Sequence, residues 1–155
     1  MGLDMYLTAR KYISDYAFQN GEERETIDAI LGAVGLDRKA LSDGAPGVEV
    51  SVNIGYWRKA NAIHKWFVDN VQGGVDDCQL YSAKRSDLKE LHRQVTEAIS
   101  NKDGSVLPPK SGFFFGSLEI DQWYWADLKA TSVMLNRILN DKAFEGFDFY
   151  YQASW

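Results

Sequence analysis

Residues 48–54, Val-Glu-Val-Ser-Val-Asn-Ile, constrain the fold most strongly, because apolar and polar side chains alternate along them without a break. A period of two puts the apolar side chains on one face of a β-strand and the polar ones on the other. Such a strand is typical of an antiparallel sheet with one solvent-facing side. The alternation recurs at residues 3–13 and, with aromatic residues, at 147–155. These two strands are expected to be neighbours, since each would otherwise be an open edge.

Four segments between these strands carry apolar residues at helical spacing, at 22–34, 58–71, 87–99 and 121–140. A short strand is predicted at 78–83, and a turn at 42–47, which contains Asp-Gly and Pro-Gly. The pattern predicts an α+β fold, with a small antiparallel or mixed β-sheet covered by about four helices. The chain has 155 residues and no visible linker or repeat, so a single domain over 1–155 is expected.

Composition excludes several classes of partner. The net charge is −5, from 17 basic and 22 acidic residues, and an acidic surface disfavours DNA and RNA. No apolar run approaches the ~18–20 residues that span a bilayer, so no membrane partner is expected. Cys78 is the only cysteine, which excludes an internal disulfide and cysteine-based zinc sites. No metal-ligand spacing or cofactor motif is legible, and the absence of a leader-like start predicts a cytoplasmic location.

The densest group of chemically capable residues is 55–67, Gly-Tyr-Trp-Arg-Lys-Ala-Asn-Ala-Ile-His-Lys-Trp-Phe. Trp57, Asn61 and His64 share one side of the predicted helix, near an N-terminus whose N–H groups favour anions. Arg58, Lys59 and these N–H groups are expected to hold a phosphate or carboxylate, while Trp57 or Tyr56 stacks on a ring of the ligand. The alternative is that these residues only cap the helix, with His64 hydrogen-bonded at the margin of the core.

A second group is residues 110–117, in which two glycines flank three phenylalanines. Glycine lets a backbone approach a ligand closely, and Lys110 and Ser111 are suited to phosphate. The spacing differs from that of a phosphate-binding loop, and a buried apolar strand is the alternative. We expect this loop and the start of the second helix to form two walls of one cleft. The predicted ligand-binding residues are Tyr56, Trp57, Arg58, Asn61, His64, Lys110 and Ser111.

Two further functions stay open. Three adjacent rings at 123–125 cannot all face one core, so at least one must meet solvent, a ligand or a partner. Together with Trp155 they suggest a surface for another protein or for a homodimer. His64 with a nearby carboxylate would suffice for acid–base catalysis in a nucleotide hydrolase or transferase. No nucleophile motif accompanies it.

Residues 1–7 (Met-Gly-Leu-Asp-Met-Tyr-Leu), 55–67, 111–116 and 147–155 together resemble a family of small, uncharacterised proteins of tailed phages and prophages. The resemblance covers nearly the whole chain but assigns no activity and no functional residue. It implies a protein that acts in the cytoplasm of an infected host, in counter-defence. One such class sequesters nucleotide immune signals without destroying them. The resemblance therefore favours a binding protein for a small anionic, ring-containing ligand of the nucleotide type.

Overall fold

The computed structural model describes residues 2–15, 21–41, 47–112 and 114–155. Its elements in chain order are β1 (Asp4–Ser14), α1 (Gly21–Ala33), β2 (Gly47–Arg58), α2 (Asn61–Asn70), β3 (Tyr81–Ala83), α3 (Arg85–Asn101), α4 (Gln122–Asn140) and β4 (Asp148–Ser154). The strands form a four-stranded antiparallel sheet in the order β2-β1-β4-β3. The predicted α+β class is confirmed, as is the pairing of the first and last strands. The predicted turn at 42–47 lies outside the described residues, apart from Gly47.

The chain comprises two compact units, Arg10–Ser51 on one hand and Met1–Ala9 with Val52–Trp155 on the other. The single-domain organisation stays a prediction. In the unit Arg10–Ser51, α1 buries Ile27 and Leu31. The guanidinium of Arg38 pairs with Asp15 at 2.5 Å and with Asp28 at 2.6 Å.

The larger unit contains the main hydrophobic core. Met5, Leu7 and Ala9 of β1 are buried, as the period of two predicts, although Thr8 between them is buried as well. In β4, alternate residues are buried. The helical stripes of α2, α3 and α4 meet these strands in one cluster, because only burial against another element satisfies an apolar face. The strand contribution consists of Leu3, Met5, Leu7, Ala9, Phe149, Tyr151 and Ala153. Among the described residues, no helix has both the length and the apolar character to cross a membrane.

The start of the second helix differs from the prediction. Strand β2 continues through Gly55 to Arg58, and α2 begins only at Asn61. Gly55 does not end the strand; instead it allows close packing, since a Cβ there would lie 2.5 Å from the sulfur of Met134. Lys59 then turns the chain with a left-handed φ of 61°, which a non-glycine residue adopts at a cost. Arg58 is therefore a strand residue, not a helix residue.

Candidate functional site

The start of α2 and the phenylalanine loop lie against each other. Asn61 is buried, and its side-chain Nδ2 donates hydrogen bonds to the backbone oxygens of Phe115 at 3.2 Å and Ser117 at 2.8 Å. Backbone carbonyl groups of a loop need hydrogen-bond donors when they are buried away from solvent. Asn61 thus fixes the loop beside the first turn of α2, as the sequence predicted for these two segments.

These segments and the start of α4 enclose a cleft of about 340 Å³. That volume is at the lower end of the range of small-molecule sites. The cleft belongs entirely to the larger unit. Its lining residues are Arg58, Lys59, Ala60, Asn61, Ala62, Ile63, Gly116, Ser117, Glu119, Asp121, Trp123, Tyr124, Asp127 and Leu128.

The end of β2 supplies the cationic wall of the cleft. Arg58 and Lys59 are both exposed and line the cleft, and the Arg58 guanidinium also hydrogen-bonds with the hydroxyl of Tyr56, where its charge opposes the rise in the pKa of Tyr56. Gly116 packs on Lys59 with a φ of 97°, and a Cβ at Gly116 would lie 3.3 Å from the Cβ of Lys59. Left-handed backbone at Lys59 and at Gly116 therefore shapes this wall. Strained backbone at non-glycine residues concentrates at functional sites.

The N-terminus of α4 supplies the opposite wall. Asp121 caps the helix, because its side-chain Oδ1 accepts hydrogen bonds from the backbone N–H groups of Trp123 at 2.9 Å and Tyr124 at 3.0 Å. The side chain of Trp123 is 70% exposed, so one of the three adjacent rings does meet solvent, as predicted. Burial, and secondarily the charge of Asp121, raise the pKa of Asp127 to about 6.

His64 does not line the cleft; it lies in a separate polar network. Its ring is 0% exposed, with Nδ1 2.8 Å from the hydroxyl of Tyr151 and Nε2 2.9 Å from Oδ1 of Asp76. The second oxygen of Asp76 accepts a hydrogen bond from Nζ of Lys110 at 2.7 Å. The ring of Phe115 covers His64 edge-on, with centroids 5.1 Å apart.

Electrostatics favour a neutral histidine in this network. Burial lowers the pKa of His64, although the adjacent carboxylate of Asp76 opposes the shift. Burial would raise the pKa of Asp76, but hydrogen bonds and charge from Lys110 and His64 outweigh it and lower the pKa. Burial raises the pKa of the Tyr151 hydroxyl well above its usual value. A neutral ring in this setting donates from Nε2 to Asp76 and accepts from Tyr151 at Nδ1.

The two aromatic residues predicted to stack on a ligand are placed elsewhere. The ring of Trp57 is buried, and its Nε1 donates to Oγ1 of Thr131 at 2.8 Å. Tyr56 points to the opposite side of β2, where its exposed hydroxyl donates to Asp4. Alternation along a strand forces this separation, since successive side chains face opposite ways. Of the two aromatic residues that line the cleft, Trp123 is exposed and Tyr124 is buried.

Lys110 and Ser111, the loop residues predicted to hold phosphate, also lie outside the cleft. Lys110 pairs with Asp76 and does not line the cleft, and Ser111 is exposed outside it. The loop contributes to the cleft through Gly116, Ser117 and Glu119 instead. Of the seven predicted residues, Arg58 and Asn61 line the cleft, and His64 and Lys110 belong to the separate polar network around Asp76. Tyr56, Trp57 and Ser111 do not line the cleft.

Sequence reasoning missed the carboxyl groups of the α4 wall, above all Asp127. Its spacing from Trp123 is i, i+4, which places both on one face of the helix. The signal available in the sequence was a tryptophan, Trp123, followed one helical turn later by an aspartate, Asp127. Within the described ranges, no three His, Cys, Asp or Glu side chains come together as a metal site.

Comparison with known protein families, curated proteins and solved structures found no match for this chain. The resemblance to phage and prophage proteins therefore stays a prediction from the sequence.

Proposed function

We propose that this protein is a binding protein whose cleft takes a small anionic, ring-containing ligand of the nucleotide type. The observation that carries the proposal is the pairing of an exposed cationic wall, Arg58 and Lys59, with the exposed ring of Trp123 in one cleft of about 340 Å³. Cationic side chains bind phosphate by charge-assisted hydrogen bonds. A tryptophan face binds a base by stacking, worth about 1–3 kcal/mol per base.

The arrangement supports sequestration in preference to turnover. His64, the candidate acid–base residue, is closed off by Phe115 and already has partners on both ring nitrogens. A substrate in the cleft would have to displace the loop to reach that ring. In the phage setting that the resemblance implies, the bound ligand would be a host immune signal, held in the cytoplasm without being destroyed.

A thermal-shift screen against mononucleotides and cyclic dinucleotides tests the proposal, followed by calorimetry on any ligand that stabilises the protein. We expect Arg58→Ala and Trp123→Ala each to weaken binding by about 10-fold or more. Lys129→Ala and Val133→Ala are matched controls, because both side chains are exposed on α4 and outside the cleft. They should bind as the wild type does.

Chromatography of the ligand recovered after binding separates sequestration from catalysis. Intact ligand supports sequestration, and turnover that disappears in His64→Ala would support the hydrolase or transferase instead. If none of the nucleotides stabilises the protein, or if the controls lose binding as much as the cleft variants, the proposal fails.

An interaction module that inhibits a host factor is the second candidate, and the exposed residues beside the cleft favour it. Leu118, Ile120 and Trp123 are all exposed, so an apolar surface follows the loop into α4. Such patches often mark protein interfaces. Trp125 is only half-buried, and Trp155 is exposed with its ring against Phe115. Sedimentation analysis of the wild type and Trp123→Ala would show whether a homodimer forms through this surface.

A further inference from the structure

The acidic side chains of the cleft are not explained by phosphate binding. Glu119, Asp121 and Asp127 line it together with two cations, so the cleft holds more carboxyl groups than basic ones. A purely anionic ligand would leave these carboxylates facing negative charge. The ligand that fits must therefore also present hydrogen-bond donors.

Asp127 is a carboxyl group of the cleft whose capacity to accept hydrogen bonds is not filled by the protein. Asp121 is accounted for by the helix cap. In the described part of the chain, no side chain donates a hydrogen bond to the half-buried carboxylate of Asp127. A partly desolvated carboxylate without donors is costly to keep in a fold.

The position of Asp127 relates it to the exposed ring. Trp123 and Asp127 are one helical turn apart on α4, so their side chains are neighbours, with Cβ atoms about 5–6 Å apart. Both line the same cleft. A base stacked on Trp123 would thus present one edge to the carboxylate of Asp127.

The nucleobases differ in what that edge offers. An ionised carboxylate only accepts hydrogen bonds, and its two oxygens match two adjacent donors. Guanine has adjacent N1–H and N2–H donors on its Watson–Crick edge. Adenine and cytosine each pair one amino group with an acceptor nitrogen, and uracil has one N–H between two carbonyls. Guanine is therefore the base that satisfies both oxygens.

We propose, resting on the proposed function, that the cleft selects guanine nucleotides: the base stacks on Trp123, Asp127 accepts from N1–H and N2–H, and Arg58 with Lys59 holds the phosphate. With a pKa of about 6, raised mainly by burial, Asp127 is still ionised at neutral pH, as the two accepted hydrogen bonds require. The other titratable or charged groups lining the cleft are Arg58, Lys59, Glu119, Asp121 and Tyr124.

Calorimetry with guanosine, inosine, xanthosine and adenosine monophosphates tests the assignment. We expect the wild type to bind the guanosine nucleotide about 10-fold more tightly than the inosine nucleotide, which lacks the N2 amino group, and more tightly still than the adenosine nucleotide. Asp127→Asn should lose about 10-fold or more for guanosine and gain affinity for xanthosine. The amide still accepts from N1–H, and its NH₂ group donates to the C2 carbonyl of xanthine.

Asp148→Asn is the matched control, because Asp148 is exposed at the start of β4 and outside the cleft. Nucleotide binding that depends on Arg58 and Trp123 but shows the same base preference in wild type and Asp127→Asn would overturn the guanine assignment and leave the proposed function standing. Failure of every nucleotide to bind would overturn both. A selective switch from guanosine to xanthosine supports the assignment, since a merely structural role for Asp127 would not produce it.

Discussion

Replacing Asp127 with asparagine should stabilise the fold while it damages the cleft. The pKa of this carboxyl group is about 6 in the folded protein, against 3.8 for an unperturbed side chain, and burial is the main cause. At 1.36 kcal/mol per tenfold change, this shift corresponds to roughly 3 kcal/mol at a pH above both values, and solvent screening at a half-buried side chain reduces the cost of the ionised group to about 1–2 kcal/mol. Asparagine carries no charge, so the variant avoids this cost.

The gain in free energy of unfolding from Asp127→Asn should increase as the pH rises. Because the folded pKa is raised, the native state binds more protons than the unfolded state between about pH 4 and 6, and wild-type stability falls as pH rises through this window. Linkage with the same allowance for screening predicts that Asp127→Asn exceeds the wild type in free energy of unfolding by about 0.5 kcal/mol at pH 4.5 and by about 1–2 kcal/mol at pH 7.5.

Urea denaturation of both proteins at the two pH values measures the difference, with Asp148→Asn as the control that should stay within about 0.5 kcal/mol of the wild type. Equal gains at both pH values, or a less stable variant at pH 7.5, would show that burial does not disfavour the charge of Asp127. The reasoning from desolvation would then be wrong.

Three further substitutions test the rest of the site, and a fourth, Gly32→Ala, is a control outside it. Tyr151→Phe removes the hydroxyl beside Nδ1 of His64 and should cost about 1–3 kcal/mol in urea denaturation, whereas a cost below about 0.5 kcal/mol would argue against a buried hydrogen bond. Gly116→Ala puts a side chain at a φ of 97° and should lose about 1–2 kcal/mol, while Gly32→Ala, at a helical position with open space, should gain about 0.5–1 kcal/mol; equal thermal shifts would contradict this. Asp121→Ala should lose about 0.5–2 kcal/mol with the helix cap, and an unchanged melting curve would exclude that role.

Much of the secondary structure could be predicted, because local periodicity reflects which face of an element is buried. The helix predicted at 121–140 is observed at Gln122–Asn140, and the strand predicted at 3–13 at Asp4–Ser14. The start of α2 was misplaced by three residues. Gly55 resembles a strand breaker in sequence, and only its contact with Met134 shows why the strand continues.

The candidate site was predicted in outline and misassigned in detail. The convergence of α2 with the phenylalanine loop is observed, through hydrogen bonds from Asn61 to residues more than 50 positions away. The accessibility of His64 was not predictable from spacing, because it depends on Phe115 and Tyr151, which come from distant segments.

The sequence by itself determined the α+β class and most of the strand and helix faces, since alternation and helical spacing are local consequences of burial, although Val52 in the alternating segment 48–54 is exposed. Only the tertiary structure decided which polar residues line the solvent-exposed cleft and which are buried. Arg58 and Trp123 come from a strand end and a helix start 65 positions apart, yet they line one cleft, while His64, six residues after Arg58, is sealed from it. Long-range packing sets these environments, and no pattern within a single segment encodes them.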